Sequence, residues 1–307
     1  MFSIIMPVYN HAEYLPEAID SVRAQSFADW ELIVIDDGST DGSGGIAESY
    51  AARDGRLRFL RQSNAGPAAA RNAALRRARA DWLAYLDSDD TWYAGTLQAY
   101  QQAIATHPHE EFFYGYRDRM NRDGSLDSGL GHFQDRPTGA VELFGRMYLS
   151  HMCVCYRRAL LDRVGGYDAR LRSCEDYELY LRMSLLTRFV PIGRATGLRR
   201  RHERNISRAS GFSRFQEAEV LRRFVQRQGG REVVPPRLVR RRLSELYRSA
   251  ATHYLREQRP NHALAALRQS LRLRLDPRPL CLLPLAAMSR RRHSPPSTDL
   301  PWLAPDE

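Results

Sequence analysis

Acidic residues placed directly after apolar runs are the part of this 307-residue chain best equipped for chemistry. Asp36-Asp37-Gly38-Ser39 follows the apolar residues 31–35, Asp87-Ser88-Asp89-Asp90 follows 82–86, and Glu175-Asp176 opens a segment of helical period at 177–186. Aspartates one residue apart on a turn offer oxygen to Mg2+ or Mn2+, hard ions that prefer carboxylate and phosphate. An acid at a helix start also has a plainer explanation, since the positive end of the helix dipole favours it. Pro7-Val8-Tyr9-Asn10 closes the first apolar run, with Tyr9 placed either to stack on a planar ring or to serve as a core-edge aromatic. Arg71, within Gly66-Pro67-Ala68-Ala69-Ala70-Arg71-Asn72, carries a fork suited to phosphate or a base carbonyl, against the reading of one solvated Arg among many. His202, beside Arg201, is a metal or phosphate contact or else surface decoration.

The elements that would hold these residues alternate as in a parallel-sheet domain. Strands are predicted at 2–8, 31–35, 57–60 and 82–86. Helices are predicted at 13–25, 46–52, 97–105 and from Gly66-Pro67 through Arg79, because Pro is tolerated in a first helical turn. Carboxylates follow two of the four strands, and ligands of open α/β sheets bind beyond the carboxyl ends of strands. Asp90 reads as the N-cap of a helix starting at Thr91 or Trp92. Further on, the pattern gives a strand at 112–118, a hairpin turn at 121–124 and a surface loop at 125–138. A helix at 143–149, a strand at 152–156, a helix at 159–164 stopped by Gly165-Gly166, and strands at 189–192 and 196–200 follow. After Ser210 the pattern is all-helical, at 213–228, 236–256 and 260–273, and the pair 250–257 and 262–275, closed by Asp276-Pro277, resembles one tetratricopeptide-like hairpin. The expected division is an α/β domain at 1–210, a helical extension at 211–293 and a disordered Pro- and Ser-rich tail at 294–307.

Composition narrows the function classes. All 46 basic residues are Arg, and the net charge of +10 is uneven: 25 Arg against 10 acids from residue 194 onward, 21 against 26 before it. That basic C-terminal third is either a solvated face or a means of peripheral contact with the inner surface of the cytoplasmic membrane, and the apolar residues 280–288, followed by Arg290-Arg291-Arg292, fit both readings. No run approaches the roughly 18 apolar residues of a spanning helix, and no charged segment or cleavage site marks an export signal, so a cytoplasmic protein is expected. Cys153, Cys155, Cys174 and Cys281 form no zinc or disulfide framework, as suits free thiols in a reducing compartment. The GxGxxG of a dinucleotide-binding turn is missing, since Pro7-Val8-Tyr9-Asn10-His11 occupies that place, and a P-loop is excluded because there is no Lys. A glycine-rich activating loop of the nucleotidyltransferase kind is also missing.

Taken in order and spacing, the segments at 7–10, 36–39, 64–72, 87–90 and 175–176 resemble the family-2 glycosyltransferases of the GT-A fold, over about residues 2–207. The resemblance implies an α/β fold, a Rossmann-like mixed sheet with helices on both faces. It also implies metal-dependent transfer of a sugar, with inversion, from a nucleotide-diphosphate sugar, UDP being the commonest, to an acceptor hydroxyl. Asp176 becomes the base, and Asp87 and Asp89 share ribose and metal contacts with Ser88 between them. Asp37 receives a hydrogen bond from the nucleotide base, on which Tyr9 stacks. Pro7, Asn10, Asn64 and Arg71 complete the nucleotide side. His202, with Asn205-Ile206-Ser207, closes over the diphosphate. Mg2+ or Mn2+ would be the cofactor, and a saccharide or lipid-linked molecule the acceptor, in cell-surface polysaccharide or lipopolysaccharide synthesis, with an acceptor pocket from roughly residues 110–175. One departure is Ala68-Ala69-Ala70, where the pattern carries a Lys. Two other readings are a catalytically degenerate nucleotide-sugar scaffold and a basic nucleic-acid binder. The intact Asp87, Asp89 and Asp176 argue against the first, and the lack of any recognised binding motif against the second, so no specific nucleic acid is expected.

Overall fold

The computed structural model describes residues 1–121, 125–127, 136–202 and 210–273. The expected Asn205-Ile206-Ser207 segment, the 280–292 region, Cys281 and the tail from 294 lie outside these, as do parts of the turn at 121–124 and of the loop at 125–138.

In chain order the elements are β1 (Phe2–Val8), α1 (Leu15–Arg23), β2 (Trp30–Asp36), α2 (Ser43–Ala51), β3 (Leu57–Arg61), α3 (Pro67–Leu75) and β4 (Trp82–Tyr85). The middle adds β5 (Thr91–Trp92), α4 (Thr96–Thr106), β6 (Phe112–Met120), β7 (Leu126–Asp127) and α5 (Ala140–Gly145). A single 3-10 turn at His151–Cys153 precedes β8 (Val154–Arg157), α6 (Arg158–Val164), α7 (Glu175–Met183) and β9 (Val190–Arg200). The helical end comprises α8 (Gly211–Arg227), α9 (Gly230–Val233), α10 (Pro236–Arg256) and α11 (Pro260–Arg272).

The described strands make one mixed sheet in the order β3-β2-β1-β4-β8-β6-β9-β5, with β7 on β6. β1, β2, β3 and β4 run parallel, and their register aligns Val8 with Asp36 and Ile5 with Tyr85, so their carboxyl ends open on one edge. Burial on both faces explains why β1 and β2 are near-continuous apolar runs rather than alternating ones. On α1 the residues Leu15, Ala18, Ile19 and Val22 make the buried stripe that joins this core.

Several boundaries differ from the sequence reading, each because a tertiary partner overrode a local preference. α3 stops at Leu75 rather than Arg79, since the Arg79 amide bonds Glu31 Oε1 at 2.6 Å and the Ala80 amide bonds Ser3 Oγ at 2.9 Å. Thr91 and Trp92 are not a helix start; they pair with Leu198 and Gly197 as β5. The two short strands expected at 189–192 and 196–200 are one strand, β9, which follows β6 through two irregularities of register near Tyr116.

By internal contacts the chain divides into two units, Met1–Ile206 with Arg223–Val234, and Ser207–Arg222 with the residues from Pro235 onward. The boundary expected after residue 210 therefore misses a return of the chain: Arg223 Nη1 pairs with Asp168 at 2.8 Å and Gln228 Nε2 with Glu178 at 2.7 Å inside the sheet unit. In the second unit α10 and α11 pack through Ala250, Ala251, Tyr254, Ala263, Ala266 and Leu267, all buried, and the Ser244 and Ser270 hydroxyls meet at 3.0 Å. Among the described residues no helix is long and apolar enough to cross a membrane, and no cysteine is in a disulfide.

Gly115 on β6 packs tightly against β9: a Cβ there would stand 2.4 Å from Thr196 Cγ2 and 3.0 Å from the Arg194 carbonyl oxygen. Gly115→Ala is expected to cost about 1–3 kcal/mol of overpacking strain and to lower the melting temperature in thermal unfolding, with a fold otherwise unchanged.

Candidate active site

The carboxyl ends of β1 and β2 build one wall. Tyr9, the first residue past β1, is 48% exposed and open to a planar partner. Asn10 takes a left-handed backbone (φ 55°), its Oδ1 accepts the Thr40 amide at 2.9 Å, and its own amide bonds Ser39 Oγ at 2.9 Å. Pro7 lies within β1 opposite Ile35, two residues past the last β1–β4 partners, and shapes the strand exit. Asp37 is buried, and its carboxylate accepts hydrogen bonds from Gln62 Nε2 at 2.7 Å, the Ala65 amide at 2.9 Å and the Gly66 amide at 2.9 Å. In this structure Asp37 folds the 62–66 strap, which carries exposed Asn64. Gly38 (φ +80°) is required beneath this strap, because a Cβ would stand 2.8 Å from the Asn64 nitrogen.

The turn after β4 forms the floor. Asp87 is one-third exposed, buried Ser88 places Oγ 2.9 Å from His11 Nδ1, and Asp89 Oδ2 lies 2.9 Å from His202 Nε2. Asp90 caps no helix. It is buried and accepts the Arg200 amide at 2.9 Å, which brings the end of β9 onto this turn. Burial, with Asp89 and Asp87 nearby, raises its carboxyl well above the usual range. His202 is held in an aromatic stack: Tyr14 lies parallel at 4.8 Å, His11 is edge-on at 5.9 Å, and the Arg200 guanidinium stands 5.3 Å from the Tyr14 ring. His11 and Tyr14 were missed in the sequence, although their positions one and four residues after Asn10 were the available signal.

The acid pair closes the far side. Cys174 turns the chain with a left-handed residue (φ 61°) and α7 begins at Glu175. Arg71, only 6% exposed, donates from Nη1 to Glu175 Oε1 at 2.6 Å and from Nη2 to Asp87 Oδ1 at 3.0 Å. Arg71 thus bridges two motifs, as a guanidinium this enclosed needs carboxylate partners. Burial, and after it the Glu175 carboxylate, pushes Asp176 up to about 7, while the Arg71 charge pulls the other way. Behind the pair lies a buried aromatic wall. The Tyr85 and Tyr156 hydroxyls bond each other, and His151 Nδ1 meets the Tyr180 hydroxyl. The Tyr167 ring stands 5.8 Å from the Arg71 guanidinium carbon. Burial and the Arg71 charge hold His151 well below its ordinary pKa, so it is neutral. Asn72 fixes this arrangement by bonding the Tyr167 carbonyl at 2.8 Å and its amide at 2.9 Å.

Residues 3–165 match the family model of glycosyl transferase family 2. The chain belongs to this family. It is 36% identical over 185 residues to the uncharacterized protein y4gI of Sinorhizobium fredii, a match that covers 59% of this chain and 20% of that one. It is 33% identical over 198 residues to a PGL/p-HBAD biosynthesis glycosyltransferase of Mycobacterium bovis, covering 62% of this chain and 74% of that one. Among solved structures it resembles S. aureus TarS 1-349 in complex with UDP, with a TM-score of 0.68 at 22% identity, covering 95% of this chain and 87% of that one. It also resembles a Pyrobaculum calidifontis mannosyltransferase in complex with GDP-Man and Mn2+, with a TM-score of 0.59 at 19% identity over 94% and 80% of the two chains. The fold is therefore the GT-A α/β architecture with a helical C-terminal extension.

In the transferase, the donor set around Asp89 is a carboxylate and an imidazole nitrogen in contact, with the Asp87 carboxylate two residues away along the turn. Among the described residues no three His, Cys, Asp or Glu side chains cluster tightly enough to hold a cation unaided. Asp89 and His202 offer carboxylate oxygen and imidazole nitrogen, donor types that divalent ions accept.

Because the Asp37 carboxylate organises the 62–66 strap, Asp37→Ala should cost about 1–3 kcal/mol through loss of the hydrogen bonds that Gln62, Ala65 and Gly66 give to a charged acceptor. Amide hydrogen exchange at Ala65 and Gly66 should quicken, while the α10–α11 helices keep their protection.

Proposed function

We propose that this family-2 transferase moves a sugar from a nucleoside diphosphate, UDP in our reading, to an acceptor hydroxyl with inversion, and that Asp176 is the base. The observation that carries the reading is the placement of the acid pair in the first turn of α7, where Glu175, next to Asp176, is joined through Arg71 to the Asp87-Ser88-Asp89 turn; burial there raises the Asp176 carboxyl to about 7. A base with a pKa near the working pH combines a deprotonated population with useful proton affinity. The acceptor O–H gives its proton to the Asp176 carboxylate while its oxygen bonds the anomeric carbon. The bond from that carbon to the diphosphate oxygen breaks, and the leaving nucleoside diphosphate takes the electron pair. Attack opposite the leaving group inverts the centre.

Asp89, Asp87 and His202 would hold Mg2+ or Mn2+, which when bound neutralises charge on the leaving diphosphate. Tyr9 stacks on the base, and Asn10, Asn64 and Ser88 line the nucleotide side. The fold shared with UDP-bound TarS and with a mannosyltransferase carrying GDP-Man and Mn2+ supports this donor class. A relative named as a putative teichuronic acid biosynthesis glycosyltransferase of Bacillus subtilis, 37% identical over 126 residues, supports a role in cell-surface polysaccharide assembly on a saccharide or lipid-linked acceptor. The excess of Arg from residue 194 onward suits peripheral contact with the anionic cytoplasmic face of a membrane.

Asp176→Asn should cut turnover by about 10²–10⁴-fold, read as UDP released from UDP-sugars with an envelope lipid extract supplying the acceptor, and leave donor affinity within about twofold. Near-normal turnover by this variant would remove Asp176 as the base. The rate of the unaltered enzyme should fall roughly tenfold per pH unit below about 7 and level off above it, since only the ionised carboxylate accepts the proton.

A further inference from the structure

Side chains alternate along a strand, so the register of β6 on β9 places Arg117, Arg119 and Arg199 on one face of the pair and Asp118 and Arg200 on the other. The second face is already matched: the Tyr93 hydroxyl donates to Asp118 at 2.7 Å, and Arg200 pairs with Glu17 and stands 5.3 Å from the Tyr14 ring, on the side of the His202 stack. The arginine face is not. All three guanidinium-bearing residues are half-buried, and Asp127, opposite Arg119 on β7, is one carboxylate beside three cations. Among the described residues neither Arg117 nor Arg119 is in an ion pair; Arg117 Nη1 reaches Ser150 Oγ at 3.5 Å. Burial, and after it the like charge of Arg199, pulls the Arg117 guanidinium down to about 10, with Arg119 adding to the effect and Asp90 opposing it. A half-buried cation among like charges is costly until an anion meets it.

We propose that Arg117, Arg119 and Arg199 form a subsite for a phosphate group carried by the acceptor, an inference that rests on the reading of the acid pair as the acceptor side. A phosphate accepts charge-assisted hydrogen bonds from several guanidinium forks at once, which arginines on two neighbouring strands can supply. The face runs toward the acid pair rather than toward the turn that meets the donor diphosphate. Ser150 precedes His151, whose Nδ1 meets the Tyr180 hydroxyl on α7, the helix that Glu175 and Asp176 open. Met152, from the same 3-10 turn, covers Gly197 opposite Arg117, where a Cβ would stand 2.4 Å from Met152 Cε.

Equilibrium dialysis of the full chain against radiolabelled inorganic phosphate, in EDTA so that no metal bridge contributes, should show one saturable site. Arg117→Gln and Arg119→Gln should each weaken it about tenfold, as expected for the loss of a hydrogen bond between charged partners, and Arg119→Gln carries the test if Arg117→Gln does not fold. The same dialysis with UDP and Mg2+ should leave the phosphate in place. In the transfer assay with envelope lipid extract, either variant should raise the half-saturating amount of extract about tenfold and leave that of the UDP-sugar within about twofold. Absence of saturable phosphate binding, equal binding by the folded variants, or displacement of phosphate by UDP would overturn the proposal. The dialysis needs neither donor nor turnover, so an active Asp176→Asn enzyme would remove the base reading while the phosphate subsite stood or fell by its own result.

Discussion

A guanidinium shut away from water must be met by carboxylate, and that constraint at Arg71 arranges most of what surrounds it. The residue lies in the middle of α3, its partner Glu175 follows 104 residues later, and Asp87 lies on the turn after β4. Neither carboxylate could take its place without the sheet order that sets β4 beside β1, nor without α7 starting where it does. Breaking one partner of such a buried group leaves an uncompensated charge, a far larger penalty than the net value of the intact pair. The bridge is therefore a registry device that fixes the distance between the Asp87 turn and the acid pair.

A second tie acts on the opposite side of the same turn. Asp90 receives the Arg200 amide, Asp89 meets His202, and the rings of Tyr14 and His11 pack around that imidazole. The end of β9 is held to the loop after β4 by backbone, carboxylate and aromatic contacts together. Tyr9 and Asn64 are among the exposed side chains of this region. The site thus has a rigid half, where every carboxylate has a protein partner, and an open half facing the end of β1.

Much of this was legible in the sequence because these strands are buried on both faces: β1, β2 and β4 are near-continuous apolar runs, and carboxylates stand at the ends of β2 and β4. What was not legible is partnership. Arg71 reads as a phosphate ligand in a list of charges, and only its enclosure shows that it is spent on Glu175 and Asp87. Asp90 looks like a cap and Asp37 like a base contact, because an aspartate after a strand suits either, while the donors that claim them lie far along the chain or on the next strap. The end of α3 and the continuity of β9 were misjudged for the same reason, since backbone groups of Arg79 and the whole length of β6 supply bonds that local propensity does not contain. His151 and the tyrosines behind the pair carry no motif at all.

If the edge formed by Tyr9, Asn64, Asp87, Asp89 and His202 is a metal-assisted nucleoside diphosphate site, calorimetric titration of the full chain with UDP, GDP and dTDP, with Mn2+ and again with EDTA, should show saturable one-site binding of UDP in Mn2+ and its loss in EDTA. A folded protein that binds none of the three in the presence of Mn2+ would contradict that assignment.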